Sequence, residues 1–267
     1  MGARRVAVHD DQPAAVDEVL QAFSTGARPR RSPIRTRLDL MDLAFRRLGL
    51  HPDLVDYAEA LAIQRQLHTD VLADQSPSTV LLLEHQDVYT AGRRTEPEDR
   101  PKDGTPVVDV DRGGKITWHG RGQLVGYPIL KLAERAMVKE YVASLEELLI
   151  RVLRREYGIT STTVEGRSGV WLVDGGRDRK IAAIGLRVHR SVTMHGFALN
   201  CSNSLTPFEN IVPCGISDAD TTTISAEVGE EIAPADVVDA VAAELAAELP
   251  RFLGGAHITP AAEGALS

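Results

Sequence analysis

Residues 180–190 and 192–201 are two strand-length stretches in immediate succession. Strands in such close succession suit a mostly antiparallel sheet, since a parallel crossover needs about a dozen residues or more. Other segments alternate around them. Residues 138–157 carry the longest amphipathic helix pattern and end at Gly158, a residue suited to the left-handed position after a helix. From Asp53 to about Asp74, the side chains of Leu54, Tyr57, Leu61, Leu67 and Val71 recur close to helical spacing. Thr79 to Glu84 is a continuous apolar run fit for a buried strand. Val107–Val110 and Lys115–Trp118 read as strands joined in a hairpin at Gly113-Gly114. Residues 123–132 and 169–173 add further strands, the second followed by a turn at Asp174-Gly175-Gly176. A last helix starts near Pro234, carries Val237, Val238, Val241 and Leu245, and stops before Pro250. With no internal repeat and no obvious linker, the simplest architecture is one α+β domain, a mostly antiparallel sheet flanked by helices.

That domain is assigned to residues 37–254. Residues 1–36 hold Arg4, Arg5, Arg28, Arg30, Arg31 and Arg35 with Pro13, Pro29 and Pro33 and few large apolar side chains. Such a segment buries little surface and is expected to be a disordered or loosely attached extension. Asp10, Asp11, Asp17 and Glu18 count against a targeting peptide. Residues 255–267 are expected to be a free tail.

The net charge of −8 argues against nonspecific nucleic-acid binding, which needs a basic face. No run approaches the ~20 apolar residues of a membrane span, and no apolar leader precedes the domain. The expected location is the cytoplasm, where the two cysteines, Cys201 and Cys214, would stay reduced. Cys201 follows Phe197-Ala198-Leu199-Asn200 and reads as a core-facing strand thiol.

Cys214 is different. It sits in Ile211-Val212-Pro213-Cys214-Gly215-Ile216, and a proline before it and a glycine after it favour a turn that presents the side chain. A thiol is nucleophilic as the thiolate, and the ordinary cysteine pKa of ~8.5 leaves little ionised at neutral pH. Lys180, in Arg179-Lys180-Ile181-Ala182-Ala183-Ile184-Gly185, would favour the thiolate and carry the proton if the fold brought the two together. The pair is a candidate nucleophile and base, although buried cysteines are often only small hydrophobes.

The second informative stretch is Arg112-Gly113-Gly114-Lys115-Ile116-Thr117-Trp118-His119-Gly120-Arg121-Gly122-Gln123. Its glycines would let backbone approach a ligand closely, or simply build a hairpin rim. The Gly-Gly-Lys triplet lacks the spacing of a phosphate-binding loop. His119 and His195 could each be structural. Asp109, Asp111, Asp218 and Asp220 show no metal-ligand spacing and read as turns and solvated ends, and Glu227, Glu230 and Glu231 as a solvated face.

Taken together and in order, LLLEH-x-x-VYTAGRR, RGGKITWHG-x-GQLVGYPIL, SGVWL, RKIAAIG, HGFALN and IVPCGISD closely resemble the lipoyl(octanoyl) transferase family from about Asp53 to Gly229. The resemblance implies a fold shared with lipoate and biotin protein ligases. It also implies transfer of an octanoyl group from octanoyl-acyl carrier protein to a lysine ε-amine. The implied acceptors are the lipoyl domains of 2-oxoacid dehydrogenase complexes and the glycine cleavage H protein. By the same resemblance Cys214 is the acyl-thioester residue and Lys180 the lysine that tunes it. The acyl pocket is implied to comprise Arg112, Gly113, Gly114, Lys115, Ile116, Thr117, Trp118 and His119, with Ala183, Ile184, Gly185, Gly196, Phe197 and Ala198. The chemistry is consistent, because a thiolate is both nucleophile and leaving group, and thioester exchange followed by aminolysis requires no ATP, metal or other cofactor. The small residues Ala183, Gly185, Gly196 and Ala198 leave a slot for an alkyl chain. An ATP-dependent lipoate-protein ligase of the same fold is the alternative; it would keep a lysine near Lys180 without needing Cys214. One position departs from the family pattern: Arg121 stands where a proline is usual.

Overall fold

The described chain, residues 43–101, 105–134, 137–211 and 219–254 of a computed structural model, begins with strand β1 (Ala44–Gly49) and helix α1 (Tyr57–Leu72). The carboxylate of Asp56 accepts from the N–H groups of Ala58 and Glu59 at 2.8 and 3.1 Å. This cap starts α1 later than Asp53, where periodicity alone puts it. Strands β2 (Thr79–Leu83), β3 (Val88–Ala91), β4 (Val107–Asp109), β5 (Thr117–His119) and β6 (Gln123–Ile129) follow. Helix α2 (Val138–Tyr157) ends as its sequence indicates. Gly158 adopts φ 68°, its N–H donates to Arg154 O, and Ile159 N–H donates to Leu153 O, both at 3.1 Å. Then come β7 (Thr162–Val164), β8 (Arg167–Leu172), β9 (Arg179–His189) and β10 (Val192–Asn200). The single turn α3 (Thr206–Glu209), β11 (Asp220–Thr221), the short α4 (Ile224–Val228) and α5 (Pro234–Glu248) complete the order. The expected extension at 1–36 and tail at 255–267 lie outside the described residues, and so does Cys214.

The main sheet runs β1-β2-β6-β10-β9-β8-β7, with β11 added beside β9. Pairing is parallel for β1–β2 and β11–β9 and antiparallel elsewhere in this sheet. Period-2 alternation divides its side chains between two helical layers. Val80, Leu82, Leu124 and Leu199 pack against Leu145, Leu148 and Val152 of α2 and Val238 and Val241 of α5. Leu81, Leu83, Val125, Ile129 and Met194 pack against Ala60, Leu61, Leu67 and Val71 of α1. This is why β2 is apolar at every position after Thr79: it is covered on both faces. Among the described residues no helix is long and apolar enough to cross a membrane.

A second, three-stranded sheet has the order β4-β3-β5. Here the structure corrects the expected hairpin. Strand β3 lies between the two segments, parallel to β4 and antiparallel to β5, so they never pair with each other. Gly113-Gly114 does not make a tight turn. The loop is folded around its own arginine, whose guanidinium donates to Gly113 O at 3.0 Å, Lys115 O at 2.8 Å, Thr90 O at 2.8 Å and Thr90 Oγ1 at 2.9 Å. The same loop docks on the main sheet through Gly113 N–H to Leu186 O at 2.9 Å.

Candidate active site

A recess opens on the α1 face of the main sheet where β9 and β10 carry their smallest residues. Ala183 is opposite Ala198 and Gly185 opposite Gly196, so the floor there has almost no side chain. Around this one cavity the structure gathers Arg112, Gly113, Gly114, Lys115, Thr117, His119, Ala183, Ile184, Gly185, Gly196, Phe197 and Ala198. Ile116 and Trp118, expected in the same pocket, are not part of it. Both turn to the other side of the small sheet and pack with Tyr89, Phe208 and Ile211, because neighbours in an extended segment point to opposite faces. Trp118 meets the Phe208 ring edge-on at 5.6 Å.

Three further residues line the cavity without any sequence signal that places them there: Tyr57, Tyr127 and His195. Tyr57 and Tyr127 look like ordinary core positions of a helix and a strand. His195 reads in the sequence as a histidine packed into the sheet. It holds φ 60°, a left-handed conformation that histidine tolerates but seldom adopts. Its backbone N–H donates to Gln64 Oε1 at 3.0 Å and its Nε2–H to the Asp111 carboxylate at 3.1 Å. Asp111 also pairs with Arg187. Burial opposes ionisation of Asp111, but His195 and Arg187 outweigh it and hold the carboxyl below its usual range.

The rings lining the cavity are uncharged at neutral pH. Burial pushes His119 down to about 3, with the neighbouring His85 ring adding to the effect. Burial pushes His85 down to about 4 and Tyr57 up to about 12, and raises Tyr127 well above the ordinary range. Their hydrogen bonds fix the tautomers. Val55 O can only accept, so His85 Nδ1–H donates to it at 3.0 Å, and Nε2 accepts from Tyr127 OH at 2.8 Å. Thr222 O likewise only accepts, at 3.0 Å from Asn200 Nδ2. Asn200 Oδ1 then accepts from Gln123 Nε2 at 2.8 Å, and Gln123 Oε1 from His119 Nδ1–H at 2.8 Å. A buried chain of donors thus runs from the cavity wall to the strand beside Lys180.

Lys180 is buried and lines a small cavity with Thr117, Ala183, Phe208 and Thr221. Thr117 and Ala183 also line the recess, so the lysine sits at one end of it. Its Nζ stands 4.4 Å from the centroid of the Trp171 ring. Strand β11 pairs Thr221 with Lys180, and Thr222 N–H donates to Lys180 O at 2.9 Å. Described residues on either side of the segment that contains Cys214, Phe208 before it and Thr221 after it, therefore both face the Lys180 cavity.

Other expectations resolve individually. Cys201 is fully buried in the core and burial pushes its thiol up to about 12, as suits a packing residue. Asp109 pairs with Arg100 and Asp220 with Arg177, while Asp218 lies outside the described residues. Glu230 and Glu231 are exposed, but Glu227 is not a solvated carboxylate. It pairs with Arg179 at 3.1 Å and accepts from Thr222 Oγ1 at 2.6 Å, clamping β11 to β9. Arg121 is exposed at the second position of a turn in which Gln123 N–H donates to Gly120 O at 3.2 Å and Gly122 has φ 86°. These are the marks of a type II turn, whose second position favours proline.

A profile of the lipoyl protein ligase A/B catalytic domain matches residues 56–246. An octanoyltransferase from Paenarthrobacter aurescens is 58% identical over 201 residues, which cover 74% of this chain and 90% of the relative. Another from Renibacterium salmoninarum is 54% identical over 216 residues, covering 80% and 92%. Among solved structures, the bipartite lipoate protein ligase of Thermoplasma acidophilum superposes with a TM-score of 0.57 over 78% of this chain and 84% of that one. At 12% identity this last likeness concerns the fold alone. The span that the profile matches includes the recess and the Lys180 strand: the chain belongs to the lipoyl protein ligase A/B catalytic domain family, among its octanoyltransferases, and is an acyltransferase.

Proposed function

We propose that the protein is a cytoplasmic enzyme that takes an octanoyl group from octanoyl-acyl carrier protein, holds it as a thioester on Cys214, and passes it to the lysine ε-amine of a lipoyl domain. The acceptors would be the lipoyl domains of 2-oxoacid dehydrogenase complexes and the glycine cleavage H protein. One observation carries the reading: a buried lysine, its Nζ over the Trp171 ring, stands where a recess floored by Ala183, Gly185, Gly196 and Ala198 meets the chain on both sides of Cys214. The octanoyltransferase relatives support the acyl group, and the archaeal ligase, studied with its E2 lipoyl domain, supports the class of acceptor.

In the first step the Cys214 thiolate attacks the carbonyl of the donor thioester and the carrier thiolate leaves. Lys180 takes the cysteine proton and returns it to the departing sulfur. In the second step the acceptor amine, deprotonated with the help of Lys180, attacks the Cys214 thioester and the thiolate leaves again. The uncharged rings of Tyr57, Tyr127 and His119 suit an alkyl chain, which gains from leaving water and needs no counter-charge.

Intact-protein mass spectrometry after incubation with octanoyl-acyl carrier protein, without ATP or Mg²⁺, tests this. The expected result is one octanoyl adduct, located on Cys214 and discharged by an added lipoyl domain. Transfer that requires ATP and accepts free octanoate would replace this reading with that of an ATP-dependent lipoate-protein ligase.

A further inference from the structure

The Arg112-Gly113 backbone crosses one end of the recess. Lys180 marks the other, and from it β9 runs through Ala183 to Gly185. One residue past Gly185, Gly113 N–H donates to Leu186 O at 2.9 Å, so the Arg112-Gly113 backbone is fastened across the strand. The Arg112 side chain fills the corner, held by hydrogen bonds to Thr90, Gly113 and Lys115. A methyl group added at Gly185 would stand 3.2 Å from Arg112 Cδ and 3.5 Å from Gly113 O. Gly185 is thus the last floor position before the wall, and a hydrogen atom is all that it contributes there.

We infer that Gly185 and the Arg112-Gly113 wall set the acyl chain length that the enzyme accepts. The inference rests on the reading above, in which the acyl carbonyl lies at the Lys180 end. Ala183 lines both the Lys180 cavity and the recess, so C2 of the chain is set beside it; strand residues advance about 3.4 Å each, and Ala183 to Gly185 spans about 7 Å. An extended chain advances about 1.2 Å per bond, so the six bonds from C2 to C8 of an octanoyl group also span about 7 Å. The tail of an eight-carbon chain reaches the wall, and longer chains must bend or leave carbons outside. The wall is rigid where it matters. The guanidinium that would have to move is tied to three backbone carbonyls and one hydroxyl, and the strand beneath it is a central one.

The test is a chain-length profile. Hexanoyl, octanoyl, decanoyl and dodecanoyl carrier-protein thioesters are compared by kcat/KM for transfer to a lipoyl domain, with wild type and Gly185→Ala. Wild type should fall about tenfold or more between octanoyl and dodecanoyl. Gly185→Ala should lower the octanoyl-to-hexanoyl ratio by about fourfold for each methylene excluded. Ala183→Val, near the carbonyl end, should depress all lengths alike and leave the ratio unchanged. A Gly185→Ala enzyme that loses the same factor at every length overturns the inference. So does a wild type that takes dodecanoyl as well as octanoyl, a result that stands even if the variant fails to fold. A wild type that transfers none of the four overturns the functional reading and the ruler with it, whereas active enzymes with an unmoved ratio overturn the ruler alone.

Discussion

The Nζ of Lys180 faces the ring of Trp171 at 4.4 Å from its centroid. A ring holds a cation by about 1–2 kcal/mol when water is excluded, less than a buried hydrogen-bonded ion pair would.

Lys180→Arg should be nearly as damaging to transfer as Lys180→Ala, each losing about 10²-fold or more. Arginine keeps the positive charge but does not give up a proton in the working pH range. Steady-state transfer assays, with thermal unfolding to check the fold, decide it. A fully active Lys180→Arg enzyme would reduce the lysine to a fixed charge.

The two cysteines should separate cleanly. Cys214→Ala should abolish both transfer and the octanoyl adduct. Cys201→Ala should keep most activity and cost about 1–2 kcal/mol in unfolding free energy, because its thiol is core packing and burial holds it protonated. Mass spectrometry and denaturant titration of both variants are the measurements. Activity in Cys214→Ala with none in Cys201→Ala would reverse the assignment.

Acid should destabilise the protein before the carboxylates titrate. His85 and His119 are held neutral down to about 4 and about 3 by burial, whereas in the unfolded chain they protonate near the ordinary histidine value of ~6.5. Below that value the unfolded state binds more protons, so stability is present at neutral pH and is lost as pH falls. The slope is up to about 1.4 kcal/mol per pH unit for each histidine. Denaturant unfolding at pH 7.5 and 5.0 should differ by about 4 kcal/mol, since two rings each lose up to that slope over the ~1.5 pH units below ~6.5. A flat profile across this window would mean that these rings are not buried in the neutral form.

Arg121→Pro should be tolerated. The residue is exposed at the second position of a type II turn, so proline fits the backbone and should add about 0.4–1 kcal/mol of stability through the unfolded state. Turnover at saturating substrate should stay within a few-fold. If Arg121 assists the encounter with an acidic carrier protein, the Michaelis constant should rise at low salt, and the difference should shrink as salt is added. A salt-independent collapse of turnover would instead tie Arg121 to the chemistry.

Helices α1, α2 and α5 and strands β2, β9 and β10 are legible in the sequence because their signals are local. Periodicity, Gly158 at the end of α2 and the apolar run of β2 act within a few residues of themselves, and the motifs that carry the family resemblance are contiguous. The small residues of β9 and β10 can likewise be read as a slot, since alternate positions of paired strands share a face. Tertiary structure alone decided which residues meet there. Strand β3 enters between β4 and β5, and that long-range pairing turned a two-glycine hairpin signal into a loop wrapped around Arg112. The same sheet sends Ile116 and Trp118 away from the recess. Tyr57, Tyr127 and His195 come to it from a helix start and two strands distant in sequence, His195 through a left-handed backbone angle that no composition or spacing announces. A motif specifies which side chains lie near one another along the chain, whereas a cavity wall is set by which strands pair and in what register, and that is a property of contacts between segments far apart in sequence.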